Sequence, residues 1–313
     1  MESVEKSKLV DTRGRAADSQ IQQSFNYLLP KFIDYLLYEE ELAFETIAKY
    51  QQALKRILID LPYVSSPLDL RLEDITELKK IMKVRGVGPA GINSAVFALR
   101  KFLTYCHDIQ KLRVLDPKEI QRARELKREV VYLTKEELIS FFKTMNVKTK
   151  RGLRMRTLCH LLVSTGMRIS EALGLNRDDI EWDRKEAVII GKGSKQRTVY
   201  FTDECLRWLK IYTARRADSN RALFVTFGVP NRLRRYDLSK QFRHYAKIAS
   251  LMKKITPHVL RHTFATILIS NNCNLFAIQQ MLGHSDIKTT AKYYLGVDKA
   301  SIKAAHEKYL KIL

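Results

Sequence analysis

The sequence predicts a mainly α protein with a small antiparallel β-sheet, laid out as two helical modules. Three observations predict this. Apolar residues recur at three- and four-residue spacing through most of the chain. One region alternates with period two instead: Ala187–Ile190 and Arg197–Phe201 read as strands joined by the tight turn Gly191-Lys192-Gly193-Ser194. Between the modules, residues 111–132 carry seven Lys+Arg against four Asp+Glu and a proline, which reads as a basic linker.

The elements follow in order. Residues 1–22 are polar and mixed in charge and read as a flexible arm without the apolar core of a signal peptide. Tyr27–Tyr38 and Ala43–Ile59 are helical, with Leu28, Phe32, Tyr35 and Leu36 on one stripe. Leu61-Pro62 and Ser65-Ser66-Pro67 break the chain, and a helix runs from about Leu72 to Met82. Gly86-Val87-Gly88-Pro89 is a tight turn, or a helix-hairpin-helix element gripping a phosphate. The long helix Ile92–Tyr105 buries Ala95, Ala98, Leu99, Phe102 and Leu103 and closes a module over 23–110.

In the second module, 133–298, Thr134-Lys135-Glu136-Glu137 resembles a capping box opening a helix to Phe142. Asn146–Arg156 is basic, with Lys148, Lys150, Arg151, Arg154 and Arg156 and no acid. Leu158–Ser164 is an apolar helix stopped by Gly166. Asp179–Trp182 reads as a further short strand. Helices are expected over Asp203–Arg216, Leu238–Ser250, Pro257–Ser270, Leu275–Leu282 and Ile287–Tyr294. The tail, 299–313, is an amphipathic helix with Ile302, Ala305, Tyr309 and Ile312 on one side.

Composition narrows the partner. A formal net charge of +22, from 56 Lys+Arg and 34 Asp+Glu over 313 residues, calls for a polyanion, and nucleic acid comes first. No apolar run is long enough to span a membrane. The four cysteines are widely spaced without a CxxC pair, which suits a reducing compartment and gives neither a disulfide framework nor a zinc site. A cytoplasmic, nucleoid-associated protein is expected.

Several stretches carry residues suited to chemistry. Thr256-Pro257-His258-Val259-Leu260-Arg261-His262 opens a helix whose Leu260, Phe264, Ile267 and Leu268 share an apolar face. His258 and Arg261, three apart, fall together on another face, where they can bind one anion and handle a proton. Thr165-Gly166-Met167-Arg168 turns into a helix on which Arg168 and Glu171 share a side; alone, they read as a surface ion pair. Lys192 stands at a hairpin tip, His284 follows the helix-capping Gly283, and Tyr293 and Tyr294 adjoin. Each has an ordinary surface or core explanation in isolation.

Together these residues resemble the tyrosine recombinase (phage integrase) family, including its Xer-like members. The T-G-x-R-x-x-E-x-x-x-L turn of that family is matched by Thr165 to Leu175, and its G-K-G hairpin by Gly191-Lys192-Gly193. The H-x-L-R-H-x-x-A-T box is matched by His258, Leu260, Arg261, His262, Ala265 and Thr266. The L-G-H-x-x-I-x-T-T-x-x-Y box runs from Leu282 to Tyr293. The resemblance implies a helical core-binding (SAM-like) DNA domain over 23–110 and a tyrosine-recombinase catalytic domain over 133–298. It also implies a C-shaped clamp on double-stranded DNA. The terminal helix either docks in trans on a neighbouring protomer or folds back on its own core. With only the arm before the first helix, the additional arm-binding domain of larger phage members is expected to be absent.

The implied reaction is site-specific strand exchange through a 3′-phosphotyrosine and a Holliday junction, by a homotetramer acting as one dimer per site on two sites. The resemblance casts Tyr293 as nucleophile, Arg168 and Arg261 as stabilisers of transition-state charge, and Lys192 as general acid. It casts His258 as base or proton relay, His284 as a hydrogen-bond donor to the phosphate, and Glu171 as a support that orients its cationic neighbours. Lys148, Lys150, Arg151, Lys195 and Arg197 are candidate DNA contacts. No metal or other cofactor is expected, and accessory proteins are unknown. The alternatives are a type IB topoisomerase-like enzyme, a metal-dependent hydrolase built on His258 and His262, and a non-catalytic DNA-binding protein.

Overall fold

The computed structural model describes residues 22–125, 130–191 and 196–283. The chain divides into two units, Met1–Lys127 and Arg128–Leu313, each with its own apolar core. The helix expected over 287–294 and the tail helix over 299–313 lie outside the described residues.

The first unit contains α1 (Phe25–Tyr38), α2 (Phe44–Asp60), α3 (Leu72–Val84) and α4 (Pro89–Asp108). Ser24 caps α1, its hydroxyl accepting from the Tyr27 amide at 3.4 Å. The α1 stripe Leu28, Phe32 and Leu36 is fully buried against α4, where Leu99, Phe102 and Leu103 are equally enclosed. Phe102 meets Phe32 edge-on at 5.3 Å and stacks with Phe25 at 5.6 Å. Gly86–Pro89 forms the turn between α3 and α4, with the Val87 amide bonded to the Met82 carbonyl and Pro89 in the first turn of α4.

The basic stretch between the modules packs against the first unit over 111–125. Ile120 is buried in the first core, and the Asn93 amide brackets the backbone of Ala123, accepting at 2.7 Å and donating at 3.0 Å. Its apolar residues at 112, 114, 115 and 120 outweigh its charge count, because they have a core to join.

In the second unit Thr134 and Glu137 form the expected capping box at the start of α5 (Lys135–Lys143), with reciprocal bonds of 3.2 and 2.8 Å. Helix α6 (Lys150–Thr165) runs through the centre, with Met155, Leu158, Cys159, Leu161 and Leu162 all fully buried. Around it lie α7 (Ile169–Gly174), α8 (Asp203–Ala214), α9 (Ser239–Ile248), α10 (Pro257–Ser270) and α11 (Leu275–Leu282). Strands β1 (Glu186–Ile190) and β2 (Gln196–Tyr200) pair antiparallel, Ile189 opposite Arg197 and Ala187 opposite Val199. Ala187, Ile189 and Val199 point inward.

Two expectations fail here. Asp179–Trp182 is not a strand: Arg177–Asp179 is a 3₁₀ turn whose Asp179 carboxylate accepts from the Asn176 amide at 2.8 Å. Glu181 makes a single bridge to Glu186, because the Asn and Asp side chains capture the backbone first. The apolar helix expected to begin at Leu158 begins eight residues earlier, and its basic first half hides buried positions. On it, His160 lies between Phe142 and Trp208, with ring centroids 4.1 and 5.5 Å away, and its Nε2 accepts from Arg156 Nε at 3.0 Å. Burial first, then the charge of Arg156, pushes the His160 pKa down to about 4.

Candidate active site

The Thr256 hydroxyl accepts from the Val259 amide at 3.3 Å, and Pro257 takes the first helical position, so α10 starts where its sequence dictates. Arg261, one turn in, is not on a solvent face beside His258 as expected; it is buried at 4% exposure. Its Nη1 donates to the Gly166 carbonyl and its Nη2 to the Leu282 carbonyl, both at 2.6 Å. A buried guanidinium needs such partners, and two helix C-termini supply them. The inward face is Val259, Leu260, Thr263 and Phe264, whereas Ile267 is 39% exposed. The face is rotated because Thr263 counts as core: its hydroxyl accepts from the Leu133 amide and donates to the Val259 carbonyl, both at 2.9 Å.

Gly166 ends α6 in the left-handed region at φ +61°, and a Cβ there would run into the Phe264 ring. The turn it makes delivers Arg168 to the N-cap of α7. The Glu171 carboxylate accepts from the Arg168 amide at 2.7 Å and from Arg168 Nη1 at 3.0 Å, while Arg168 Nη2 reaches the Gly283 carbonyl at 3.4 Å. Gly283, also left-handed at φ +62°, caps α11. Thus Arg168 and Arg261 bond successive carbonyls, Gly283 and Leu282, at one helix end.

Arg197, expected as a DNA contact, has another occupation. Its side chain is 13% exposed and grips Glu171 through both oxygens, Nη1 to Oε1 at 3.0 Å and Nη2 to Oε2 at 2.8 Å. Its Nε donates to the Met281 carbonyl at 3.3 Å. The strand alternation carried this signal: Val199 points inward, so Arg197, two residues away, does too. Burial alone would raise the Glu171 pKa, but the bonds from Arg197 and Arg168 outweigh it and hold the carboxyl below its ordinary range.

His258 stands exposed in the first turn of α10, yet its ring is covered enough that desolvation lowers its pKa, helped by Arg235, His262, Arg261 and Arg168. It is therefore neutral at physiological pH. His262 has its Nδ1 3.1 Å from the Val131 carbonyl. Among the described residues no group of three or more His, Cys, Asp or Glu side chains could hold a metal. Sequence reasoning missed Arg232, whose Nη1 donates to the carbonyls of Leu173, Gly174 and Leu175 and so ties down the C-terminus of α7.

Lys148, Lys150 and Arg151 are exposed around the start of α6. Arg154 and Arg156 from the same basic run are not: Arg154 is 3% exposed and bonds the Val225 carbonyl, and Arg156 lies over the rings of Phe142 and Trp208. Lys192, Lys195, His284 and Tyr293 lie outside the described residues. No helix of the described residues is long and apolar enough to cross a membrane.

The phage integrase family model matches residues 131–300. The tyrosine recombinase XerD of Staphylococcus saprophyticus is 27% identical over 292 residues, covering 90% of this chain and 98% of the relative. The XerD of Yersinia pestis is 28% identical over 299 residues, covering 92% and 99%. Among solved structures, the Tn1549 transposon integrase in complex with transposon right end DNA superposes with a TM-score of 0.74 at 22% identity, covering 90% of this chain and 99% of that one. The lambda integrase dimer bound to a core site gives 0.71 at 16%, covering 86% and 95%. These neighbours share the mainly helical fold with its small sheet, and by the match over more than half its length the chain belongs to the phage integrase family.

Proposed function

We infer that this protein recombines DNA at specific sites through a covalent 3′-phosphotyrosine. It is a tyrosine-type recombinase, an enzyme that breaks and rejoins DNA strands. The observation that carries the chemical reading is the convergence of Arg168 and Arg261, from opposite halves of the second unit, on the Leu282 and Gly283 carbonyls. Two fixed guanidiniums at one point suit a phosphodiester whose non-bridging oxygens gain charge during displacement.

In this reading the Tyr293 hydroxyl attacks phosphorus, the P–O5′ bond breaks, and the 3′-phosphate stays on the tyrosine. Neutral His258 takes the phenolic proton, and Lys192 gives one to the departing O5′. His284 donates to a phosphate oxygen. Glu171 orients Arg168, and the exposed Lys148, Lys150 and Arg151, with Lys195, neutralise flanking phosphates. The free 5′-hydroxyl of a second duplex then reverses the step, which conserves the bond energy without a cofactor and yields a Holliday junction. A tetramer on two sites, one dimer per site, performs the exchange at the nucleoid in the cytoplasm. Residues 23–110, within the first unit, serve as the core-binding domain.

The test is to incubate the protein with nicked suicide duplexes made from the sequences flanking its gene and to sequence the trapped DNA. A covalent adduct at one short site is expected. Binding without any adduct would overturn the reading.

A further inference from the structure

We propose that Arg197 is a positioning residue of the active site, acting through Glu171 to keep the charge of Arg168 available to the phosphate. The inference rests on the recombinase reading above and concerns the balance of charge within its site. Glu171 is 5% exposed at its side chain and has two cationic neighbours, Arg168 and Arg197. Its carboxylate accepts four N–H bonds, two from Arg197 and two from Arg168, so both oxygens are used.

A carboxylate paired with Arg168 alone would orient that arginine but cancel its charge. The bidentate clamp from Arg197 supplies a second positive charge, so the trio keeps a net charge of plus one. Arg197 is the more enclosed of the two guanidiniums, 13% against 33% exposed, and is fully engaged by Glu171 and the Met281 carbonyl. Arg168 bonds Glu171 through its amide and one terminal nitrogen, with only a long 3.4 Å contact from the other to Gly283. The buried arginine therefore neutralises the carboxylate, and the more open one remains to meet an anion.

The clamp also joins three segments. Arg197 stands on β2, Glu171 on α7, and the Met281 carbonyl on α11, whose Leu282 and Gly283 carbonyls hold the two catalytic arginines. A Cβ on Gly283 would sit 3.0 Å from the Arg197 side chain, so the cap of α11 is shaped to the guanidinium.

The test compares the full-length wild type with Arg197→Gln, Arg197→Lys, Glu171→Gln and the Arg197→Gln/Glu171→Gln pair. The probe is the nicked duplex recovered in the trapping experiment, at saturating concentration. Arg197→Gln should slow adduct formation about tenfold to a hundredfold with DNA affinity unchanged. Arg197→Lys should recover part of the rate, since a point charge meets one oxygen and not two. The double variant should be no slower than Glu171→Gln, as expected when one residue acts through the other. Titration of the ¹³C-labelled Glu171 carboxyl, assigned by its absence in Glu171→Gln, should show the pKa rise in Arg197→Gln without DNA. Additive losses in the double variant, or an unshifted Glu171, would overturn the inference. A wild type that forms no adduct would instead sink the recombinase reading, and the carboxyl titration would still judge the clamp.

Discussion

Gly166 and Arg261 are joined by a 2.6 Å hydrogen bond from the guanidinium to the glycine carbonyl, across 95 residues of sequence. The turn that delivers Arg168 therefore also seats Arg261, and the two arginines cannot shift independently. Gly166→Ala tests this. An alanine in the left-handed region costs about 1–2 kcal/mol, and its methyl meets the Phe264 ring on the helix that carries Arg261. We expect a lower melting temperature and loss of adduct formation beyond what the fraction unfolded explains. Full activity with a lower melting temperature would separate the turn from the site.

Lysine at either arginine position should separate burial from catalysis. Arg168→Lys keeps a cation at a partly open position, so stability should hold while adduct formation falls by roughly 10²–10³-fold. Arg261→Lys leaves the Gly166 and Leu282 carbonyls short of a donor in a 4% exposed site, so it should also lower stability. Equal melting temperatures for the two variants would contradict the buried geometry.

Much of this was legible in the sequence, and the misses share a physical cause. The Thr134 box, the Thr256-Pro257 start of α10 and the Gly283 end of α11 are local signals, settled within four residues, and the structure keeps them. The pairing of Arg168 with Glu171 is local too. The depth of Arg261, the recruitment of Arg197 and the burial of Arg154 depend on carbonyls and carboxylates 21 to 95 residues away. Local pattern marks Arg154 only as part of a basic run, Arg197 as a DNA contact and Arg261 as open to an anion. Only the β2 alternation hinted that one of them points inward.

The pH dependence of cleavage should report His258. Burial first, then Arg235 and the other cations, holds its pKa below the ordinary 6.5, so it is an unprotonated acceptor at neutral pH. Adduct formation at saturating DNA should be level through neutrality and fall as pH drops below 6.5, as the base becomes protonated. Arg235→Gln removes the leading cationic neighbour, so the pKa should rise and the acid limb move to higher pH. A limb moving the other way would remove His258 from the role of base.

His160 gives a stability test away from the chemistry. Its folded pKa, about 4, lies below the ordinary 6.5, so between those values the unfolded chain binds more protons. Its contribution is therefore complete above pH 6.5 and is lost as pH falls toward 4. The loss should be on the order of 2 kcal/mol by equilibrium unfolding. His160→Phe keeps the stack between Phe142 and Trp208 and should flatten that part of the profile. An unchanged slope would place the acid sensitivity elsewhere.

The choice of nucleophile is open to the sharpest test. Tyr293 and Tyr294 adjoin, and on a helix neighbouring side chains diverge by about 100°, so both cannot face one phosphate. The family box places its tyrosine nine positions after the histidine, which from His284 is Tyr293. Tyr293→Phe removes one hydroxyl and leaves the ring, so DNA affinity should be unchanged while no covalent adduct forms. Tyr294→Phe should still form the adduct, because its hydroxyl is not the one that the family box assigns to the attack. Peptide mapping of the trapped complex reads the answer directly. DNA found on Tyr294 would reassign the nucleophile while leaving the paired arginines and their shared helix end in place.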